Sequence, residues 1–293
     1  MCNRTARLTL FKNPTEVTSL NTYAEQLVQH LLPLARDWEI KVYQPALTRV
    51  LTRFQPFLRR LPFLHPYAND FLLSRYVKYP AIARWHQGDV NHLCNDAMSH
   101  LIGFLSSKKT IITCTDLRPL KLALREYPAL RLHKLSLRRI GRAARVICIS
   151  EATKKDLLEL DLCHESRTKV IHLGVSKVFR VIENKASLDD VRRRYGLHEG
   201  NWLLHVGLNW EHKNLEGLLK AWRIAMEREP DLFLLKVGGR LDMQQEALAR
   251  SLGIESRIRS LGLVPQQDLV AIYNIANVLV YPSFNEGFGL PSL

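Results

Sequence analysis

Residues 201–239 read NWLLHVGLNWEHKNLEGLLKAWRIAMEREPDLFLLKVGG. The apolar run WLLHVG ends on a glycine and gives way to a polar loop. NLEGLLKAWRIAMERE then places its apolar residues at helical spacing, with Asn214 in the N-cap position. LFLLKVGG is a second apolar run closed by glycines. Short apolar runs bounded by polar residues are what strands buried on both faces of a parallel sheet look like. The stretch therefore predicts a strand, a crossover helix and a parallel strand.

The rhythm extends in both directions. Downstream, MQQEALARSLG reads as a helix closed by Gly253 as its C′ residue. IRSLGLV, QQDLVAIYNIA and VLVYP follow as strand, helix and strand. Upstream, RLTLF, WEIKVY, KKTIITCTD, RVICIS and TKVIHLGV read as strands. TYAEQLVQHLLPLA and SEATKKDLLEL read as helices, the second with Ser150 as N-cap and Glu151 in its first turn. Regular alternation in both halves predicts an α/β protein of two doubly wound, Rossmann-like domains. The polar stretch SKVFRVIENKASLDDVRRRYGLHEGN interrupts the pattern. The expected division is a first domain over 1–180, a linker over 181–200 and a second domain over 201–293.

Composition narrows the class. The chain has 293 residues, a formal charge of +14 and 46% hydrophobic residues, which is globular rather than disordered. Five scattered cysteines, none in a C-x-x-C, point to a reducing, cytoplasmic setting without disulfides or a zinc site. No apolar run reaches the roughly 18 residues of a membrane span. The N-terminal MCNRTARLTLFK lacks the apolar core of a signal peptide.

Basic residues concentrate in two places. TRFQPFLRRLPFLHPYANDFLLSRYVKYPAIARWHQ interleaves them with aromatics. Between 131 and 145, Arg131, Lys134, Arg138, Arg142 and Arg145 step by three and four and would share one face of a helix, with Leu137, Ile140 and Ala144 elsewhere on the wheel. Such a face is either simply solvated or a peripheral contact for anionic membrane lipid. No nucleic-acid-binding signature accompanies the charge, so nucleic acid is not an expected partner.

In doubly wound sheets ligands bind beyond the carboxyl ends of the strands. Three loops of the second half lie there. In HVGLNWEHKN, Gly207 admits a close backbone approach and Lys213 precedes a helix start, a combination that suits phosphate. In KVGGR, Gly238 and Gly239 end a strand and also fit a plain tight turn. In YPSFNEGFGLPSL (281–293), Glu286 is followed by Gly287, Phe288, Gly289, Leu290 and Pro291. A glycine loop running into a proline-started helix is an anion cradle. Glu286 would repel phosphate and instead suits the hydroxyls of a polyol. A phosphate and a sugar on the second domain are thus the expected ligands.

HVGLNWEHKNLEGLLKAW, SLGLVPQQDLVAIYNIANVLVYPSFNEGFGLP and RVICISEATKKDLLEL resemble the family 4 glycosyltransferases of the GT-B fold, over nearly all of the second half and much of the first. The resemblance implies retaining transfer of a hexose, mannose in view, from a nucleotide sugar held between two Rossmann-like domains. The acceptor would be a glycan or lipid-linked glycan, such as a cell-envelope polysaccharide. It implies no metal and no cofactor beyond the donor itself. The absence of any D-x-D agrees with a metal-free class. The same resemblance assigns Lys213 to the donor pyrophosphate and Glu286 to the sugar hydroxyls. Phe288, Gly289 and Leu290 would present backbone N–H groups, with Gly207, Asn209, Gly238 and Gly287 lining the donor, and Val264 would lie near the nucleobase. Glu286, Asp116 and His100 are the expected catalytic set.

Four departures from the family accompany this. Leu208, followed by Asn209, stands where many relatives carry arginine or asparagine after the glycine of VG. Thr115-Asp116 replaces a histidine-aspartate pair, and His92 and His100 are the candidates to stand in. FKNPTEVTSLNTY lacks the glycine-rich loop after the first strand. The family's second glutamate, eight positions after Glu286, falls one position past Leu293. The chain is therefore read as a truncated, inactive piece of a longer enzyme, with a degenerate nucleotide-sugar binder as the alternative. A GT-B epimerase or phosphorylase fits the closing loop poorly.

Overall fold

A computed structural model describes residues 5–13, 18–46, 66–121 and 128–293. The chain divides into two compact units, Met1–Leu173 and Gly174–Leu293. Part of the aromatic-basic stretch and Cys2 lie outside the described residues.

The first unit carries a six-stranded sheet, all parallel, in the order β2-β1-β3-β4-β5-β6. Its strands are β1 (Ala6–Phe11), β2 (Trp38–Tyr43), β3 (Val90–Leu93), β4 (Thr110–Cys114), β5 (Arg145–Cys148) and β6 (Thr168–Val170). Leu10, Phe11, Leu93, Ile112, Cys114, Val146 and Cys148 are all essentially excluded from solvent. Its longer helices among the described residues are α1 (Thr18–Leu31), α2 (Pro66–Leu73), α3 (Pro128–Leu137) and α4 (Glu151–Glu159). The Ser150 hydroxyl caps α4 by accepting from the Thr153 N–H at 3.0 Å, as its sequence position predicts.

The second unit carries four parallel strands in the order β10-β7-β8-β9. They are β7 (Asn201–Gly207), β8 (Leu232–Gly238), β9 (Ile258–Gly262) and β10 (Val278–Leu279). Helices α5 (Lys185–Tyr195), α6 (Leu215–Ala225), α7 (Met243–Ser251) and α8 (Gln266–Ile275) cover it. Leu204, Leu235 and Val237 pack with Val191, Ile272 and Ile275. Leu234 packs with Leu218, Leu219, Trp222 and Ala249 in a separate cluster. Alternate strand residues thus feed two apolar layers, the doubly wound arrangement expected.

The structure departs from expectation in three ways. The segment 181–200 is not a linker: α5 occupies it, Val191 belongs to the second core, and the Asn274 side chain holds both the Arg180 carbonyl and the Ile182 N–H. Its single buried residue on an otherwise charged helix is why it reads as a connection. The stripe from Arg131 to Arg145 does not share one helix either. α3 stops at Leu137, a 3₁₀ turn spans Ile140–Arg142 and Arg145 opens β5. Leu137 and Ile140 are fully buried, and a Cβ on Gly141 would lie 2.0 Å from the Leu162 carbonyl oxygen, so the chain there must turn against 162. Thirdly, the polar VNHL forms β3, which hydropathy did not predict. Cys94, Cys114, Cys148 and Cys163 are free and buried. Among the described residues no helix is long and apolar enough to cross a membrane.

Candidate functional site

In the second unit the chain runs from β7 through β8 to β9 and then returns to the far side of β7 as β10. That reversal makes the carboxyl ends of β7 and β10 a topological switch point, the place where open α/β sheets have their ligand crevice. The loop after β7 carries Lys213 and the segment after β10 carries Glu286. Lys213 Nζ donates to Glu286 Oε1 at 2.6 Å, with the two side chains 13% and 24% exposed. The same ammonium donates to the Tyr281 hydroxyl and sits 4.7 Å from its ring centroid. Burial raises the Glu286 carboxyl pKa, but the hydrogen bonds of Lys213, Ser283 and Tyr281 together with the Lys213 charge outweigh it, leaving the group below its usual range.

Local structure fixes this meeting. Asn214 is left-handed at φ +52°, and its side chain accepts from the Gly217 N–H at 3.2 Å, so α6 starts directly after Lys213. Asn214 Nδ2 also donates to the Pro282 carbonyl, and the Phe284 N–H to the His212 carbonyl at 2.8 Å, tying the two loops together. Gly289, at φ +83°, starts a short 3₁₀ turn over Leu290–Ser292, and the Tyr273 hydroxyl holds the Pro291 carbonyl at 2.9 Å.

The other expected donor residues fall as follows. Gly207 and Gly238 are register partners at the ends of β7 and β8. Gly238 has φ +107°, and a Cβ there would sit 2.3 Å from the Gly207 carbonyl oxygen. Gly238→Ala should therefore destabilise the second unit by about 1–3 kcal/mol, read as a lower urea midpoint. An unchanged midpoint would contradict the packing. Asn209 turns its amide away from the crevice, donating to the Arg240 carbonyl and to Gln245 Oε1 at 2.9 Å. Val264 packs on the core beyond β9. Gly287, Phe288 and Leu290 stay beside Glu286 by chain continuity.

In the first unit, Thr115-Asp116 follows β4. Asp96, buried beyond β3, accepts from the Thr115 N–H at 2.8 Å, the Thr115 hydroxyl at 2.5 Å and the Asp116 N–H at 3.3 Å. Asn95 Nδ2 donates to the Thr115 hydroxyl at 3.1 Å. Burial nonetheless holds the Asp96 carboxyl above its usual pKa. Asp116 is half-buried on this turn. His100 is 5% exposed, with both ring nitrogens unpartnered, and burial together with the Arg75 charge lowers its pKa to about 3. His92 is likewise buried, its Nε2 2.8 Å from Thr113 Oγ1, and burial lowers its pKa to about 4. Both imidazoles are buried, and burial keeps both neutral, which counts against the expected roles as stand-ins for the missing histidine.

The sequence profile described as Glycosyltransferase Family 4 matches residues 20–177, more than half of the chain, and that of glycosyl transferases group 1 matches 189–293. The chain belongs to glycosyltransferase family 4. Among curated family members, it is 27% identical over 254 residues to the O-antigen chain mannosyltransferase B of Escherichia coli, covering 82% of this chain and 62% of that protein. It is 29% identical over 196 residues to the serotype-specific mannosyltransferase WbdA of Escherichia coli, covering 63% of this chain and 24% of that protein. The chain thus spans less than two thirds of these relatives. Its fold resembles Anabaena Alr3699/HepE, solved with UDP and glucose, at a TM-score of 0.68 and 15% identity, covering 97% of this chain and 76% of that one. It also resembles sucrose-phosphate synthase from Thermosynechococcus elongatus, at 0.67 and 20% identity, covering 98% and 77%. These likenesses establish the GT-B fold.

Residues around this candidate site that sequence reasoning passed over are Tyr281, His205 and Lys236. The only available signal was a lysine and a histidine inside otherwise apolar strand runs.

Proposed function

We propose that this protein transfers a hexose, mannose in particular, from a nucleotide sugar to a glycan or lipid-linked acceptor with retention and without a metal ion. The observation that carries the reading is the ion pair of Lys213 with Glu286 at the β7/β10 crevice. It sets a cation suited to a diphosphate beside a carboxylate suited to sugar hydroxyls. The family membership and the mannosyltransferase names of its relatives support it.

In the transfer, the bond from the sugar C1 to the diphosphate oxygen breaks and the acceptor hydroxyl oxygen bonds to C1 on the same face. The hydroxyl proton passes to the departing diphosphate. Lys213 counters the charge growing on that leaving group, the main electrostatic demand of the step. Glu286 holds sugar hydroxyls and so orients C1.

A second reading is a binder that holds the donor without turning it over. The hydroxyl of Thr115 is engaged by Asp96 and Asn95, and His92 and His100 are buried, which favours it. One experiment separates them. The full-length protein is incubated with labelled guanosine- and uridine-diphosphate hexoses and cell-envelope lipid extract, and product anomers are read by NMR. Transfer to an acceptor with the donor's anomeric configuration is expected. Donor binding without transfer or hydrolysis would select the binder, and no interaction with any nucleotide sugar would reject both.

A further inference from the structure

Lys236 lies in β8 and is fully buried. Its ammonium donates to the Gly207 carbonyl at 2.5 Å and to the Val237 carbonyl at 3.2 Å. Among the described residues no carboxylate pairs with it. A buried ammonium without a counter-ion is costly to a fold, and a strand that only needed packing would carry valine or leucine here. The Gly207 carbonyl also accepts from the Gly239 N–H at 3.1 Å, so two donors pin the peptide from which the Lys213 loop departs. His205, the register partner of Lys236 on β7, is fully buried too, with both ring nitrogens unpartnered. Its Cε1 lies 3.6 Å, and Lys213 Cε 3.8 Å, from where a Gly207 Cβ would be.

We propose that Lys236 is a positioning residue for the donor diphosphate, clamping the Gly207 carbonyl at the root of the Lys213 loop and placing a second, unneutralised positive charge beneath the anion. Lys213 reaches the ligand but shares its charge with Glu286. Lys236 never reaches it, and acts through the loop and through its field across a low-dielectric layer. Leu208 and the inward-turned Asn209 add no charge of their own. The proposal rests on the donor-site reading above.

Burial lowers the Lys236 pKa to about 8. The titratable groups that face His205 and Lys236 here are Lys213, Glu286 and Tyr281, the last with its ring centroid 6.3 Å from that of His205. An anion bound at the loop favours the protonated ammonium, so diphosphate affinity falls as pH rises through that value.

The test is calorimetric titration of uridine, guanosine, adenosine and cytidine diphosphates into the full-length protein, its Lys236→Met and Lys236→Gln variants, and Lys213→Ala. Lys236→Met should melt at the same or a higher temperature, because a buried charge is gone, yet bind its best diphosphate about tenfold more weakly at pH 7. The loss of affinity between pH 7 and 9 should vanish in both Lys236 variants. A lysine of merely structural role would shift melting and leave affinity and its pH profile alone. Wild-type affinity that is flat from pH 7 to 9 would overturn the proposal, whatever the variants' folding. Variants that bind as wild type while Lys213→Ala loses binding would overturn the Lys236 role and leave the donor site standing. No effect in Lys213→Ala would remove the donor-site reading itself and this proposal with it.

Discussion

Lys213→Ala is expected to weaken binding of both free nucleoside diphosphate and nucleotide sugar by about a hundredfold, the scale of one charge-assisted contact to a phosphate with its partner left uncompensated. The ammonium is 2.6 Å from Glu286 and only 13% exposed, so its removal leaves a partly buried carboxylate facing an incoming diphosphate. Glu286→Ala should behave differently. It removes the group assigned to the sugar hydroxyls but frees Lys213, so nucleotide-sugar binding and transfer fall while the bare diphosphate binds as well or better. The measurement is a pair of titrations, with diphosphate and with diphosphate-sugar, on both variants. Equal losses of the two ligands in Glu286→Ala would place that carboxylate away from the sugar. Wild-type affinities in Lys213→Ala would remove the crevice as the donor site.

The second large effect is acid sensitivity. His92, His100 and His205 are buried, and burial lowers their pKa values to about 4, 3 and 4, the charges of Arg75 on His100 and of Lys236 and Lys213 on His205 adding to it. Unfolded, each titrates near 6.5, so between that pH and about 4 the unfolded chain binds protons that the folded chain refuses. Stability is therefore complete above 6.5 and is lost as pH falls below it. Each histidine withdraws on the order of 3 kcal/mol across the window, a large share of a domain's total stability. The first part of the loss, above pH 5, precedes protonation of ordinary carboxylates. Urea midpoints followed by circular dichroism should fall steadily from pH 7 to 5. His205→Leu should flatten that slope for the second unit, since neither ring nitrogen has a hydrogen bond to lose. A midpoint independent of pH over this range would contradict the neutral, buried assignment.

How much of this was legible in the sequence depends on the range of the determining interaction. Ser150, Asn214 and Gly253 read correctly as helix-end residues because a cap is decided within a few positions of itself. β4, β5, β7 and β8 read correctly because each is a short, mainly apolar run bounded by polar residues. α5 failed because its one buried valine is matched by a surface on α8, far along the chain. The basic stripe failed for a similar reason: spacing alone cannot register that Gly141 meets the Leu162 carbonyl.

The site shows the same division. The glycines at strand ends and the lysine before a helix are local signals, and they marked Gly207, Gly238, Lys213 and Glu286 as candidates. That Lys213 and Glu286 meet is a matter of topology, since they are 73 positions apart and only the return of β10 beside β7 brings them together. The apolar neighbours of His205 and Lys236 were the one sign that these polar side chains are buried, and nothing local showed that the two lie side by side on adjacent strands. Sequence by itself determined the alternating α/β pattern, the family and the short list of charged groups. Tertiary structure decided which of those groups lose their water and which face one another, because desolvation and Coulomb attraction depend on distance in space and not along the chain.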